Sequence, residues 1–152
     1  MISLGYLFFA VSPAKADDFI CLVEAIYHEA RSESITGMVA VANVILSRTA
    51  SKKYPDNICG VHQGKYWEGN PVRNRCQFSY WCDGRTEKYR DIAALKKSIT
   101  VAEMSLIGLQ VKQTVNATHY HAAYVAPKWS SSGRFVRLGQ IGKHIFYLDK
   151  GN

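Results

Sequence analysis

The sequence has 152 residues, the size of one domain, and 47% of them are hydrophobic and 12% aromatic. This composition excludes an intrinsically disordered chain, because enough apolar side chains are present to build a core. The formal charge of +7 comes from Lys and Arg spread over the whole sequence. Such a charge favours a polyanionic partner, namely nucleic acid, an anionic membrane or a cell-wall polymer, without choosing among them.

The N-terminal segment predicts export. Residues 2–11 are mostly apolar, and Ala14-Lys15-Ala16 forms the Ala-x-Ala pattern typical of signal-peptide cleavage. We therefore interpret residues 1–16 as a signal peptide and residues 17–152 as one domain. The basic region that normally opens a signal is missing, so an ordinary apolar segment stays the alternative. The segment is too short to cross a bilayer as a helix, and no stable membrane insertion is expected.

Two helices follow, and the first carries the most informative residue. The apolar spacing predicts helices from about Asp18 to Arg31 and from about Gly37 to Arg48. Glu29 lies at the edge of the apolar stripe of the first helix, where partial burial raises the pKa of a carboxyl group. A carboxylic acid of this kind suits proton donation in bond cleavage. A boundary glutamate paired with Arg31 or a lysine is the alternative.

The cysteines and the middle of the chain are interpreted together. Residues 50–87 are rich in Gly, Pro, Asn and aromatic residues, which predicts a long loop, and loops of this length are usually functional. The four cysteines, Cys21, Cys59, Cys76 and Cys82, predict two disulfides, at least one of which tethers the segment from Cys59 to Cys82. Three pairings are open. Zinc is the competing interpretation, although the sequence has no Cys-x-x-Cys pair.

The remaining elements complete an α+β fold class. A third helix is predicted from about Tyr89 to Leu109. Its predicted core stripe consists of Ile92, Leu95, Ile99, Ala102, Leu106 and Leu109. Strands are predicted over residues 118–124, 135–138 and 144–148, with the last two forming a hairpin around Gly139 and Gly142.

The first of these strands holds three polar aromatic side chains. Because alternate residues of a strand share a face, His119 and His121 are expected to point towards Glu29, with Tyr120 facing the other way into the core. The two imidazoles then contact a polar substrate, with a zinc ion or ordinary strand histidines without a ligand as the alternatives. The helical His-Glu-x-x-His pattern of zinc peptidases is absent, because position 32 is Ser.

Six ordered segments of the sequence resemble the SleB-type cell wall hydrolases, a family that includes the catalytic domain of spore-cortex-lytic enzymes. The resemblance extends from about residue 18 to residue 148. The segments are Cys21–Ser34, Gly37–Arg48, Tyr54–Cys59, Cys76–Gly84, Ala117–Ala122 and Ile141–Tyr147.

The resemblance implies a lysozyme-like fold, with a helical core and a small C-terminal antiparallel β-element, related to lytic transglycosylases and muramidases. It implies that Glu29 is the catalytic acid, that peptidoglycan glycan strands are the partner and that no cofactor or metal is needed. A monomer that does not bind nucleic acid is expected. The residues expected to bind substrate are Gln77, Phe78, Ser79, His119, Tyr120, His121 and His144.

A single motif glutamate fits a lytic transglycosylase, which needs one carboxyl group as acid and then base. A hydrolytic N-acetylmuramidase with Asp83 as second carboxylate is the close alternative. A metal-dependent amidase or peptidase using His119 and His121, and a non-catalytic cationic protein, are alternatives of other classes. The expected location is secreted, periplasmic or in the cell wall, with a phage-encoded lysis enzyme as a further origin. No separate peptidoglycan-binding module is evident, so affinity is expected to come from the cleft and the positive charge.

Overall fold

The computed structural model describes residues 13–63, 66–67, 70–71, 76, 78–83 and 88–151. The α-helices are α1 (Pro13–Ala30), α2 (Ile35–Thr49), α3 (Ile58–Gln63) and α4 (Ile92–Leu106). The strands are β1 (Tyr66–Trp67), β2 (Asn70–Pro71), β3 (His119–Ala122), β4 (Phe135–Ile141) and β5 (His144–Asp149). Short 3-10 helices span Ser79–Cys82, Lys112–Thr114 and Lys128–Ser131. Residues 1–12 of the predicted signal peptide lie outside the described residues.

Helices α1 and α2 form the centre of the core. Helix α1 begins at Pro13 instead of about Asp18 and ends at Ala30, one residue before the predicted end. Helix α2 is capped by Ser34, whose Oγ accepts the Gly37 N–H at 3.2 Å. The side chains of α2 from residue 38 to residue 45 are all buried, so its Val and Ile content reflects a helix surrounded by protein.

Helix α4 packs against α1 and α2 through a face that only partly overlaps the predicted one. Of the predicted stripe, Ala102 is buried, and Leu95 and Ile99 are partly buried against the core. Its buried residues are Ala94, Ser98, Val101, Ala102 and Ser105. Ile92 and Leu106, which were expected in the core stripe, are 57% and 46% exposed. The small side chains of the buried stripe allow the three helices to approach closely, and the Ser98 hydroxyl is satisfied by donating to the Ala94 carbonyl at 3.0 Å.

The loop predicted over residues 50–87 contains short elements, one whole disulfide and one cysteine of the other. Helix α3, the β1–β2 pair and the 3-10 helix at Ser79–Cys82 lie within it. The four cysteines form the pairs Cys21–Cys59 and Cys76–Cys82, which confirms the prediction of two disulfides. The first ties α1 to α3, and the second joins two cysteines that are six positions apart, the later of which ends the 3-10 helix.

The C-terminal part forms an antiparallel sheet in the order β3-β5-β4, and this confirms the predicted hairpin. In this sheet Tyr120 is opposite Phe146, and Ala122 is opposite His144. A bulge separates Arg137 from Gly139, which has a φ of 139°. The helical core with this small sheet is the predicted α+β class. No helix among the described residues has the length and apolar character needed to cross a bilayer.

Candidate active site

Glu29 lies in the last turn of α1, half-buried, where the helix meets the sheet. The Tyr120 hydroxyl on β3 donates a hydrogen bond to Glu29 Oε2 at 3.0 Å. Burial raises the pKa of Glu29, while the Tyr120 hydrogen bond and the positive charge of Arg48 partly oppose that rise. Glu29 therefore keeps its proton to higher pH than an exposed glutamate, and its ionised form still has two stabilising neighbours.

Arg48, near the end of α2, is a buried cation that sequence reasoning missed. It is 7% exposed, and its Nε donates to the Thr118 carbonyl at 2.8 Å. Its guanidinium lies over the rings of Tyr54 and Phe78, 5.3 and 5.6 Å from their centroids. Because Thr118 directly precedes β3, Arg48 ties the central helix to the strand that carries Tyr120. A basic residue ending a helix that is otherwise apolar was the available sequence signal.

Tyr120 occupies the interface between the sheet and the helices. Its ring packs edge-on against His144, with centroids 5.1 Å apart, and against Phe146 at 5.7 Å. Burial, and then the charge of Glu29, raises the pKa of Tyr120 well above its usual range. The phenol therefore stays protonated at neutral pH and acts as a hydrogen-bond donor to Glu29.

His119 and His121 share one face of β3, as predicted, but it is the face opposite Tyr120 and therefore opposite Glu29. His119 contacts Trp129 and Phe135, with centroids 5.3 and 4.6 Å apart. His121 also packs against Trp129, and its Nε2 lies 2.9 Å from the Tyr147 hydroxyl. The expectation that these histidines face Glu29 is corrected. The predicted alternation of side chains along β3 was right. The face that points towards the helices, and therefore towards Glu29, is the one that carries the large Tyr120 ring.

Burial lowers the pKa of His119 to about 4, an effect that the nearby charge of Arg48 reinforces. His119 is therefore neutral at physiological pH. Within the described residues no group of three or more His, Cys, Asp or Glu side chains is arranged to hold a metal ion.

Glu33 and the turn between β4 and β5 close one end of the site. Both Glu33 carboxylate oxygens accept the Lys143 N–H, at 3.3 and 3.2 Å, and Oε1 lies 3.5 Å from His144 Nδ1. Gly142 has a φ of 56°, and a Cβ there would overlap the Glu33 carboxylate. His144, predicted to bind substrate, thus lies between Glu33 and Tyr120. Burial lowers its pKa and the charge of Glu33 opposes that change.

The aromatic segment near residue 80 contacts the last turn of α1 beside Glu29. Phe78 is 3% exposed and lies under Arg48, so it supports the site from within the core instead of presenting its ring to a ligand. Ser79 is exposed, whereas Gln77 lies outside the described residues. The Tyr80 ring stacks on His28, the neighbour of Glu29, with centroids 4.4 Å apart. Asp83 is close enough to His28 for its charge to act on the pKa of that imidazole.

Comparisons with known proteins agree with this architecture. The family profile described as Cell Wall Hydrolase matches residues 32–147. Curated spore cortex-lytic enzymes match over 45 residues, with 49% identity in Halalkalibacterium halodurans, 47% in Oceanobacillus iheyensis and 44% in Bacillus subtilis. That segment is 30% of this chain and covers only 14% to 16% of the length of those relatives.

Two solved structures resemble most of the chain. The catalytic domain of the Bacillus cereus SleB protein is 27% identical, with a TM-score of 0.60, over 95% of this chain and 98% of that one. The catalytic domain of the germination-specific lytic transglycosylase SleB from Bacillus anthracis is 25% identical, with a TM-score of 0.63, over 92% and 98%. These similarities confirm the predicted lysozyme-like, α+β fold class.

Proposed function

The chain belongs to the cell wall hydrolase family, and on this premise we propose that it cleaves peptidoglycan between N-acetylmuramic acid and N-acetylglucosamine, with Glu29 as the proton donor. The observation that carries the proposal is the half-buried Glu29 carboxyl group held by the Tyr120 hydroxyl at 3.0 Å. A carboxyl group whose pKa is raised by burial is the usual general acid of glycosidic cleavage.

In the first step protonated Glu29 gives its proton to the bridging oxygen, and the bond from that oxygen to C1 of the muramic residue breaks. The bonding electrons go to the leaving oxygen, and an oxocarbenium-like sugar results. The new negative charge on Glu29 is stabilised by the Tyr120 hydroxyl and by the nearby Arg48 guanidinium. These two groups are already in place before the reaction, so no reorganisation is needed.

In the second step the Glu29 carboxylate removes the proton from the muramic 6-hydroxyl, whose oxygen closes onto C1. This forms a 1,6-anhydro ring and returns Glu29 to its protonated state. Water is not consumed, so the reaction is a transglycosylation.

Transglycosylation is favoured over hydrolysis because it needs a single carboxyl group, whereas most glycoside hydrolases use two. In the described part of the chain, the side chains that influence the pKa of Glu29 are the Tyr120 phenol and the Arg48 guanidinium, and neither is a second carboxyl group. Glu33, the next acidic residue along the chain, has a side chain 3% exposed and accepts the Lys143 amide with both oxygens. The Bacillus anthracis neighbour, described as a lytic transglycosylase, supports the same choice.

We place this activity outside the cytoplasm, in the wall. All four cysteines are paired in disulfides, and disulfides persist in oxidising compartments. The net charge of +7 favours association with an anionic wall polymer.

Mass spectrometry of the products released from purified peptidoglycan tests the proposal. We expect muropeptides that end in 1,6-anhydro-N-acetylmuramic acid. Products with reducing N-acetylmuramic acid ends would replace transglycosylation by hydrolysis. Release of peptides with intact glycan would contradict glycosidic cleavage altogether.

A further inference from the structure

The end of the site nearest Glu33 carries an exposed rim formed by Ser32, Tyr124 and Lys143, which we call the distal rim. Tyr124 lies in the turn after β3 and is 88% exposed, although a phenol ring has a large apolar surface. Ser32 and Lys143 are also exposed. None of the three is needed to build the core.

The distal rim is joined to the catalytic residues by short, direct connections. Ser32 and Glu33 follow α1 a few residues after Glu29, and Tyr124 follows Tyr120 along the chain by four residues. At a strand rise of about 3.3 Å per residue, four residues span at most about 13 Å. The rim therefore lies within the reach of a glycan strand that has one of its bonds at Glu29.

Lys143 is fixed by three contacts. Its N–H donates to the Glu33 carboxylate, its carbonyl accepts the Ala123 N–H at 2.7 Å, and its Nζ donates to Ser32 Oγ at 3.3 Å. The turn that carries Tyr124 is closed by the Val125 N–H, which donates to the Ala122 carbonyl at 3.0 Å. The rim thus presents an aromatic face and an ammonium group from turns whose backbones are held in place, so little order has to be gained on binding.

We propose that the distal rim is a binding subsite for the glycan strand beyond the cleaved bond. In this subsite the Tyr124 ring stacks on the apolar face of an N-acetylated sugar. The Lys143 ammonium binds a carboxylate of the attached peptide. The proposal rests on the proposed function, because it takes peptidoglycan as the ligand of the same site.

The test measures binding in the Glu29→Gln background, where turnover does not deplete the ligand. Two probes are compared: insoluble peptidoglycan with its peptides, and the same glycan after enzymatic removal of the peptides. We expect Tyr124→Ala to weaken binding of both probes by about two- to tenfold, the range of one aromatic stacking contact. Tyr124→Phe keeps the ring and should bind like the parent.

Lys143→Gln should weaken binding only to the peptide-bearing glycan, and that loss should shrink at high salt. Ile107→Ala is the matched control, because Ile107 is also 88% exposed but caps the C-terminus of α4, which carries none of the rim residues. Parent-like binding by Tyr124→Ala would overturn the sugar contact. An equal effect of Lys143→Gln on both probes, or no effect, would overturn the carboxylate contact.

The failure of this proposal and the failure of the proposed function give different results. If the wild-type protein releases anhydro products but Tyr124→Ala binds like its parent, the subsite is wrong and the catalytic assignment stands. If the wild-type protein binds the glycan through Tyr124 but cleaves no glycosidic bond, the subsite stands and the catalytic assignment is wrong.

Discussion

Replacing Tyr120 by Phe removes one oxygen atom and with it the hydrogen bond to Glu29 Oε2 at 3.0 Å. A hydrogen bond to a charged group contributes about 1.5–3 kcal/mol, and this bond is strongest when Glu29 is ionised, after it has given up its proton. Removing this hydrogen bond therefore destabilises the transition state more than the ground state. We expect kcat to decrease by about ten- to a hundredfold, while KM changes little.

The pH dependence gives a second, independent readout of the same substitution. The hydrogen bond from Tyr120 lowers the pKa of Glu29, so its removal raises that pKa further. Because Glu29 must be protonated to act as the acid, activity is lost as the pH rises through its pKa. The alkaline limb of the pH profile of Tyr120→Phe should therefore move to higher pH than that of the wild type.

The assay is turbidity loss of purified peptidoglycan, followed over a pH series for each variant. Tyr147→Phe is the matched control, because Tyr147 is also buried but its hydroxyl contacts His121 on the opposite face of the sheet. A wild-type rate and pH profile in Tyr120→Phe would refute the coupling between Tyr120 and Glu29. An equal loss in Tyr147→Phe would assign the effect to the fold and not to the acid.

Three further outcomes are expected. Because burial raises the pKa of Glu29, the contribution of this residue to stability is present at low pH and is lost as the pH rises through the folded-state pKa. At pH 7 Glu29→Gln should therefore have a melting temperature equal to or above that of the wild type. A lower melting temperature for Glu29→Gln at pH 7 would contradict this. Arg48→Lys keeps the charge but loses the Nε hydrogen bond to the Thr118 carbonyl and the planar stacking on Tyr54. In a urea titration this should lower the free energy of unfolding by about 1–3 kcal/mol. The control Arg137→Lys, at an exposed position, should have little effect in the same titration. Replacing Cys21 and Cys59 by Ala removes a cross-link between residues 38 positions apart and should lower the free energy of unfolding by about 2–4 kcal/mol. Replacing Cys76 and Cys82, which are six positions apart, should lower it by less. The reverse order of melting temperatures in the two double variants would argue against this.

Local patterns in the sequence predicted the helices and the C-terminal hairpin well. The apolar spacing located α1 and α2 to within about five residues, and Gly142 marked the β4–β5 turn, whereas Gly139 lies inside β4 at the bulge. These features depend on periodicity and turn chemistry, which act over short distances along the chain.

The buried face of α4 was not predictable in the same way. Its large apolar residues suggested one stripe, but the structure buries Ala94, Ser98 and Ser105 and exposes Ile92. Which face is buried depends on how α4 packs against its neighbours, and a helix considered alone contains no information about that packing. Serine in a helix can satisfy its own hydroxyl, as Ser98 does, so polarity was a poor guide to burial.

The candidate site was predicted in part. The position of Glu29 on its helix indicated a half-buried carboxyl group, whereas its partners come from residues far away in sequence. Arg48 and Tyr120 meet Glu29 only because α2 and β3 pack beside α1, and the alternation in β3 did not reveal which face met the helices.

The central claim is that Glu29 is the proton donor, and the most direct measurement is the turnover of Glu29→Gln on purified peptidoglycan. The amide keeps the shape of the side chain and can still accept the Tyr120 hydrogen bond, but it cannot donate a proton to the glycosidic oxygen. We predict a decrease of about 10²-fold or more, with an unchanged near-ultraviolet circular dichroism spectrum. Near-normal turnover by a folded Glu29→Gln protein would contradict the account.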